Sequence, residues 1–350
     1  MYQPDPIQGI AAPPPQVPAD DIGRLVREQY GLNGELTPLV SERDQNFRLT
    51  ISDTCRYVVK IANAAEEGIV TDCQIQALLH IERQKCAVTV PRMIPTQSGS
   101  LATTILNGDE THVVRLVSYV PGRPLDGIGV NAGLARNLGR CLADVNFALR
   151  GFEHSGESQV LLWDMQRATE LRPLLPHVAD DGLRDLISHC LNEFEQNVLP
   201  VFDSLRHQVI HGDLNPGNVL VAENDDEMIV GVIDFGDMVR APLIVDVAIA
   251  ASYLRSDTPD PLAVIAPFIA GYDEVASLDD TEIELLHNLV CTRIVTTITM
   301  MYWRMSARAE DDAYRQKVLQ DERSAEQFLS LIDAMSREKF IAAIQNARGR

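Results

Sequence analysis

The sequence predicts an α+β fold with a small, β-rich N-terminal part and a larger, mainly helical C-terminal part. Three short apolar or alternating segments follow one another between residues 36 and 62, which is typical of antiparallel strands. From residue 134 onwards, apolar residues recur three and four positions apart, which is typical of amphipathic helices. The 350 residues, 45% of them hydrophobic, suffice for one large domain with two lobes or for two smaller domains.

The N-terminal part begins with 18 residues rich in Pro, Gln and Ala, and these predict a flexible or extended lead-in. Asp20 and Asp21 can cap a helix over residues 22–30, which Gly31 ends. Three antiparallel strands are then predicted at 36–40, 47–52 and 57–62.

A further strand at 113–120 marks the end of the β-rich part, because Pro121-Gly122 interrupts its apolar pattern. A helix is expected before it, at about 70–84. The remaining helices are predicted at 134–149, 183–205, 243–254, 261–272, 281–305 and 322–346.

The most specific motif is His211-Gly212-Asp213-Leu214-Asn215-Pro216-Gly217-Asn218, with Asp234-Phe235-Gly236 beginning 21 residues after Asp213. Apolar runs at 218–222 and 228–233 flank a polar turn, and they predict a hairpin that returns Asp234 to Asp213 and Asn218. Phosphoryl transfer from a nucleotide requires a carboxylate for the acceptor hydroxyl, and an amide oxygen and a second carboxylate for magnesium. These three residues match that requirement. A surface hairpin that merely carries acidic residues is the simpler alternative.

The two motifs resemble the aminoglycoside phosphotransferase and choline kinase branch of the protein-kinase-like fold, whose catalytic loop begins with His-Gly-Asp. The resemblance implies that Asp213 is the catalytic base, that Asn218 and Asp234 bind Mg²⁺, and that His211 supports the loop. Because no Ala-Pro-Glu segment follows, a small-molecule acceptor is favoured over a protein.

The same resemblance implies a bilobal fold with an antiparallel N-lobe and a larger helical C-lobe. The expected boundaries are a lead-in at 1–18, an N-lobe at 19–117, a hinge at 118–124, and a C-lobe with the catalytic loop, metal site and substrate pocket at 125–350.

The resemblance also implies a nucleotide site that begins with Lys60, which lies in the third strand and would contact the phosphates. An edge-strand lysine that points to solvent is the alternative. The following helix has Gln74 where the family has an acid, so Asp72 is the predicted partner of Lys60. The turn at 41–47 contains no glycine. The other predicted nucleotide contacts are Ser41 and Asn46 for the phosphates, and Ser118, Tyr119 and Val120 for the base.

Four segments, at 44–47, 114–124, 233–238 and 289–293, look like the hydroxylysine kinases within this branch. The implied reaction phosphorylates 5-hydroxy-L-lysine with GTP as the favoured donor. A kinase of aminoglycosides, homoserine, ethanolamine or choline that uses ATP is the alternative within the same chemistry. A pseudokinase that binds a nucleotide without turnover is the alternative of a different class.

The expected substrate contacts are Asp237, for an ammonium group, and Arg293, which lies in an otherwise apolar helix and needs an anion. That anion is either a substrate carboxylate or a structural partner such as Asp246. For Asp246 itself, an internal hydrogen bond that holds the catalytic loop is the preferred interpretation. Tyr253, Tyr302 and Trp303 either form walls of the pocket or fill the core, and the core is the preferred interpretation.

The net charge of −20 argues against nucleic acid or a membrane surface as a partner. An acidic surface suits a small cationic substrate, and solubility alone is the equally good alternative explanation. Six scattered cysteines form no C-x-x-C motif, which favours free thiols in a reducing compartment. Because no leader or membrane-spanning stretch is apparent, a cytoplasmic protein is expected. The sequence leaves the oligomeric state open.

Overall fold

The structure, a computed structural model, describes residues 13–41, 43–84, 86–255, 260–308, 310 and 313–349. Residues 1–12 of the expected lead-in lie outside the described residues. Near its end the lead-in packs on the sheet, because Val17 is buried and exchanges two backbone hydrogen bonds with the Gln45 side chain. In the described part, no helix combines the length and the apolar composition needed to cross a membrane.

The N-terminal part is an antiparallel sheet in the order β1-β2-β3-β6-β4, and β5 pairs with the first half of β6 on the same edge as β4, opposite β3. Its strands are β1 Glu35–Leu39, β2 Gln45–Ser52, β3 Cys55–Ile61, β4 Met93–Ile94, β5 Thr103–Asn107 and β6 Glu110–Ser118. Two helices accompany it, namely α1 Ala19–Leu25, which continues as a π-helical turn Val26–Tyr30, and α2 Gly68–Gln84.

Alternation along the strands decides which side chains of the sheet face the cleft. Phe47, Val59 and Leu116 lie opposite one another in register, and they are buried in the core that α1 covers. The next row, Asn46, Lys60 and Arg115, therefore lies on the other face. A lysine within an apolar strand is thus directed away from the core.

The C-terminal part is mainly helical and carries two small antiparallel sheets. Its strands are β7 Arg123–Pro124, β8 His207–Ile210, β9 Val219–Ala222, β10 Asp225–Val232 and β11 Val239–Pro242. Its helices are α3 Ala132–Leu149, α4 Asp181–Glu193, α5 Leu199–Phe202, α6 Leu243–Ser252, α7 Leu262–Val275, α8 Asp280–Ser306, α9 Ala313–Asp333 and α10 Arg337–Arg348, with a 3₁₀ segment at Met165–His177. The predicted α+β architecture is confirmed.

Two predicted helices differ from the observed ones. The helix expected at 322–346 is two helices, α9 and α10, because the Ser336 side chain accepts a hydrogen bond from Lys339 N and starts a new helix. The helix expected at 183–205 continues from α4 through a π-helical turn and α5, and it ends at Phe202. The β9–β10 hairpin lies where the apolar runs predicted it.

Candidate active site

A cleft of about 460 Å³ is lined by residues of the N-terminal sheet and of the helical part. Ser41, Lys60 and Gln74 line it from the first side, and Asp213, Asn218, Asp234, Asp237 and Arg293 line it from the second. Residues from the start, middle and end of the sequence therefore share one cavity, as a two-lobed arrangement requires.

Asp246, a fully buried carboxylate in α6, anchors the loop at 211–218. This carboxylate accepts hydrogen bonds from His211 N at 3.1 Å, Gly212 N at 2.9 Å and Asn146 Nδ2 at 2.6 Å. The preferred interpretation, an internal hydrogen bond that holds the loop, agrees with these contacts. The carboxylate thereby satisfies two backbone N–H groups of a loop whose backbone at these residues is not paired with a strand.

His211 is also fully buried, and its contacts fix its tautomer. Asp213 N donates to Nδ1 at 3.3 Å, so the Nε2–H group donates to Ile233 O at 3.1 Å. The ring packs edge-on against Phe235, with centroids 4.8 Å apart. Because both ring nitrogens are engaged with backbone, the geometry suits a residue that joins the catalytic loop to the Asp234 segment, not a base.

Asp213 lies at the centre of the cleft with its carboxylate oriented by amides. Its Oδ2 atom accepts from Asn215 Nδ2 at 2.8 Å and from Asn218 Nδ2 at 3.0 Å, and Arg293 Nη2 is 3.5 Å from Oδ1. Burial and the negative charge of Asp237 raise the pKa of Asp213, against the opposing effects of Arg293 and Asn215. A carboxylate with a raised pKa is a better proton acceptor.

Asn218 and Asp234 have the chemistry of magnesium ligands. The Asn218 amide nitrogen is turned towards Asp213, which leaves its oxygen available as a ligand. The charge of Lys60 outweighs burial and lowers the pKa of Asp234 to about 2, so this carboxylate is ionised at neutral pH. Across the described ranges no group of three or more His, Cys, Asp or Glu side chains could hold a metal. These two oxygen donors fit Mg²⁺, which typically takes few protein ligands and completes its shell with phosphates and water.

The predicted partner of Lys60 was wrong. Lys60 Nζ lies 3.3 Å from Asp234 Oδ1, whereas Asp72 contacts His154 Nε2 at 3.1 Å on the outer face of α2. Gln74 occupies the inward-facing position, where it donates to Gly236 O at 3.4 Å and accepts from buried Arg115. Helical phase explains the difference, because two positions along a helix turn a side chain through about 200°.

The predicted nucleotide contacts fall into two groups. Ser41 lines the cleft, and Asn46 lies beside Lys60 with a buried Oδ1 atom that has no hydrogen-bond partner within the described residues. At the hinge, however, Ser118 N donates to Arg92 O at 2.8 Å and Tyr119 N to Arg56 O at 3.3 Å. These two N–H groups are therefore already used, which leaves carbonyl groups and Val120 N–H as the candidates for a nucleobase.

Arg293, in α8, is almost completely buried and contacts Trp163 O at 3.1 Å, Tyr253 Oη at 3.2 Å and Asp213. Its Nε–H has no partner in the part of the chain that the structure describes. The structural pair suggested with Asp246 is not formed. For Tyr253 the preferred core position is wrong and the alternative holds, because the side chain lines the cleft and contacts Arg293.

Asp237 has a partner that the sequence did not suggest. Arg43, from the turn between β1 and β2, forms a direct ion pair with the Asp237 carboxylate across the cleft. Trp163 and Asn215 were missed as well, although Asn215 lies inside the most specific motif. Only the lack of glycine in the turn at 41–47 could have drawn attention to Arg43.

Gly212, in the loop at 211–218, has little room for a side chain. Its φ is +79°, and a Cβ atom would lie 2.3 Å from Asp237 O, a backbone atom. We expect Gly212→Ala to lower the free energy of unfolding by roughly 3 kcal/mol, measured by urea denaturation.

Gly127 provides the matched control, because its φ is +78° but a Cβ atom there would meet nothing within 4 Å among the described residues. Gly127→Ala should cost only about 1 kcal/mol, the left-handed backbone term. Equal losses in the free energy of unfolding for the two variants would show that the close approach to Asp237 O adds no cost.

Comparison with known proteins supports the same chemistry. A sequence model of the phosphotransferase enzyme family, APH, matches residues 35–281. Hydroxylysine kinase of Xenopus laevis is 27% identical over 326 residues, which cover 86% of each protein. Hydroxylysine kinase of Mus musculus is 24% identical over 312 residues, which cover 83% of each.

Solved structures agree on the fold. A microcompartment-associated aminopropanol kinase superposes with a TM-score of 0.71 at 18% identity, covering 90% of this chain and 98% of that one. An amicoumacin kinase in complex with AMP-PNP and Ca²⁺ gives 0.70 at 14% identity, covering 92% and 97%. The predicted bilobal, protein-kinase-like fold is confirmed.

Proposed function

Since the chain belongs to the phosphotransferase enzyme family, we propose that it moves the γ-phosphoryl group of GTP to the hydroxyl group of 5-hydroxy-L-lysine. Membership of the family makes the protein a small-molecule phosphotransferase that acts on hydroxyl groups, and the nucleotide donor and the divalent metal are part of the proposal. The observation that carries the proposal is the convergence of Lys60, Asp213, Asn218, Asp234 and Arg293 on one cleft.

The proposed reaction is a direct, in-line transfer in which the protein mainly positions groups and balances charge. Lys60 contacts the donor phosphates, and Asn218 and Asp234 would hold Mg²⁺, which would neutralise phosphate charge. Asp213 orients the acceptor hydroxyl and takes its proton as the acceptor oxygen bonds to the γ-phosphorus. The bridging oxygen leaves with the nucleoside diphosphate.

Recognition of an amino-acid acceptor is assigned to Arg293 and Asp237. The Arg293 guanidinium is buried beside Asp213, and its Nε–H has no partner among the described residues, so a carboxylate would complete its hydrogen bonds. The negative charge of the Asp237 carboxylate suits an ammonium group of the acceptor. In the structure, the Arg43 guanidinium is paired with this carboxylate. The hydroxylysine kinases among the relatives support an acceptor that has both groups.

The proposal is tested by a matrix of donors and acceptors. Purified protein with Mg²⁺ and either GTP or ATP is offered 5-hydroxylysine, homoserine, ethanolamine, choline and an aminoglycoside. We expect product on 5-hydroxylysine, with a higher kcat/KM from GTP. Turnover on another acceptor alone would reject the substrate and keep the phosphotransferase. Nucleotide binding with no product on any acceptor would favour a pseudokinase.

The role of Arg293 is tested by a specificity ratio. Wild-type protein should prefer 5-hydroxylysine to its decarboxylated analogue, 1,5-diaminopentan-2-ol, by about 10- to 100-fold in kcat/KM, the value of a charge-assisted hydrogen bond. Arg293→Gln should bring that ratio close to one. Because Arg293 also contacts Asp213, the ratio is more informative than kcat alone. An unchanged ratio would assign Arg293 to orienting Asp213 only.

A further inference from the structure

The turn between β1 and β2 has no glycine, yet it places a cation inside the cleft. Arg43 lies in this turn, its guanidinium is paired with Asp237, and its Cζ atom is 5.1 Å from the Trp163 ring centroid. About 30% of the side chain is exposed, so it remains accessible from the cleft. Arg43 is therefore an N-terminal charge that reaches across to the helical part.

The surroundings of Gly236 show that the Arg43 and Asp234 side chains lie near each other. A Cβ atom on Gly236 would lie 3.5 Å from an Arg43 guanidinium nitrogen and 3.2 Å from Asp234 Oδ1. Lys60 Nζ is 3.3 Å from that same carboxylate oxygen. The cations of Lys60 and Arg43 therefore both lie near the Asp234 carboxylate, to which the proposed function assigns the metal and, with it, the phosphates.

The charges around Arg43 keep it in its cationic form. Burial alone would lower the pKa of Arg43, but Asp237, Glu66, Asp44 and Asp234 together raise it. A bound nucleoside triphosphate must find positive groups in this acidic surrounding. A guanidinium presents its N–H groups as a planar fork, which matches two phosphate oxygens better than an ammonium does.

A turn without glycine also limits the backbone. Glycine-rich turns bind phosphate because their amides can approach closely, and the turn at 41–47 lacks this freedom. A side chain from the same turn is the remaining way for it to reach the donor. Arg43 is the residue of this turn that carries a positive charge into the cleft.

We propose that Arg43 binds the γ-phosphoryl group of the donor, leaving Asp237 when the ammonium group of the acceptor takes its place there. The proposal rests on the proposed function and adds a phosphate-binding residue to it. Arg43 exchanges no proton. The bond between acceptor oxygen and γ-phosphorus forms, the β–γ bridging bond breaks, and the hydroxyl proton goes to Asp213.

The test measures binding as well as turnover. Calorimetry with Mg²⁺ compares the β,γ-imido triphosphate with the diphosphate of the nucleotide that the wild type prefers. We expect Arg43→Ala to raise the Kd of the triphosphate analogue about 10- to 100-fold and the Kd of the diphosphate less than threefold. We expect kcat to fall by about 100-fold or more, since the contact strengthens as charge develops on the transferred group. Arg43→Lys, which keeps the charge and loses the fork, should lie between the wild type and Arg43→Ala.

Asp237→Asn separates phosphate binding from a structural ion pair, because it removes the same pair from the opposite side. This variant should keep the preference for triphosphate over diphosphate that Arg43→Ala loses. Loss of the preference in both variants would mean that the pair acts structurally, and it would overturn the proposal.

Asp213→Ala distinguishes failure of the proposed function from failure of the role of Arg43. If Asp213→Ala keeps full turnover, the proposed function fails. If Asp213→Ala is inactive while Arg43→Ala keeps kcat and the triphosphate preference, only the role of Arg43 fails.

Discussion

Replacing Asp213 with asparagine is expected to lower kcat by about 10³-fold, within the range that a positioned general base contributes. Asparagine keeps the size of the side chain and removes its capacity to take a proton from the acceptor hydroxyl. The carboxylate is oriented by Asn215 and Asn218 and is raised in pKa by burial and Asp237, so the wild-type group is both placed and tuned. The measurement is initial-rate kinetics with saturating nucleotide and 5-hydroxylysine.

Nucleotide affinity is the control for this variant. The proposed donor contacts are made by Lys60, Asn218 and Asp234, so the Kd for the triphosphate analogue should change less than threefold in Asp213→Asn. A fall of less than tenfold in kcat would show that another group accepts the proton. A large loss of nucleotide affinity would show instead that the variant has disturbed the metal site.

Replacing Asp246 with alanine is expected to lower the free energy of unfolding by about 3 kcal/mol, as much as Gly212→Ala. The substitution would leave His211 N, Gly212 N and the Asn146 amide without their buried acceptor. Each unsatisfied buried donor carries a desolvation cost, and the loop that they hold contains Asp213. We therefore expect kcat to fall as well. Urea denaturation followed by circular dichroism measures the first effect.

Two variants control for the loss of a negative charge alone. Asp53, on the exposed β2–β3 turn, should tolerate alanine within about 0.5 kcal/mol. Asp246→Asn keeps one acceptor oxygen, so its loss should be smaller than that of Asp246→Ala. A loss of less than about 1 kcal/mol in the free energy of unfolding is typical of a surface substitution or of one lost hydrogen bond. If Asp246→Ala gives a loss this small, other contacts hold the loop.

Asp237 and Lys60 show how differently local and distant relationships can be predicted. Asp237 was placed near the metal carboxylate because it lies three residues from Asp234, and the cleft contains both. Lys60 was placed correctly in β3, but Asp72 was the wrong partner, because the partner is a carboxylate 174 residues away. A short-range pattern gives the strand, its alternation and the phase of a helix. It does not give the contact that forms when two lobes meet.

The sequence by itself determined the class of the fold, the β9–β10 hairpin and the triplet Asp213, Asn218 and Asp234, because each depends on spacing within about 25 residues. Only the tertiary structure decided that Arg43 pairs with Asp237, that Arg293 lies beside Asp213, and that the Gln74 side chain donates to Gly236 O. These pairs join segments 80 to 194 residues apart. Their geometry follows from the packing of α2, α8 and the β1–β2 turn around one cleft, and no periodicity in the chain specifies it.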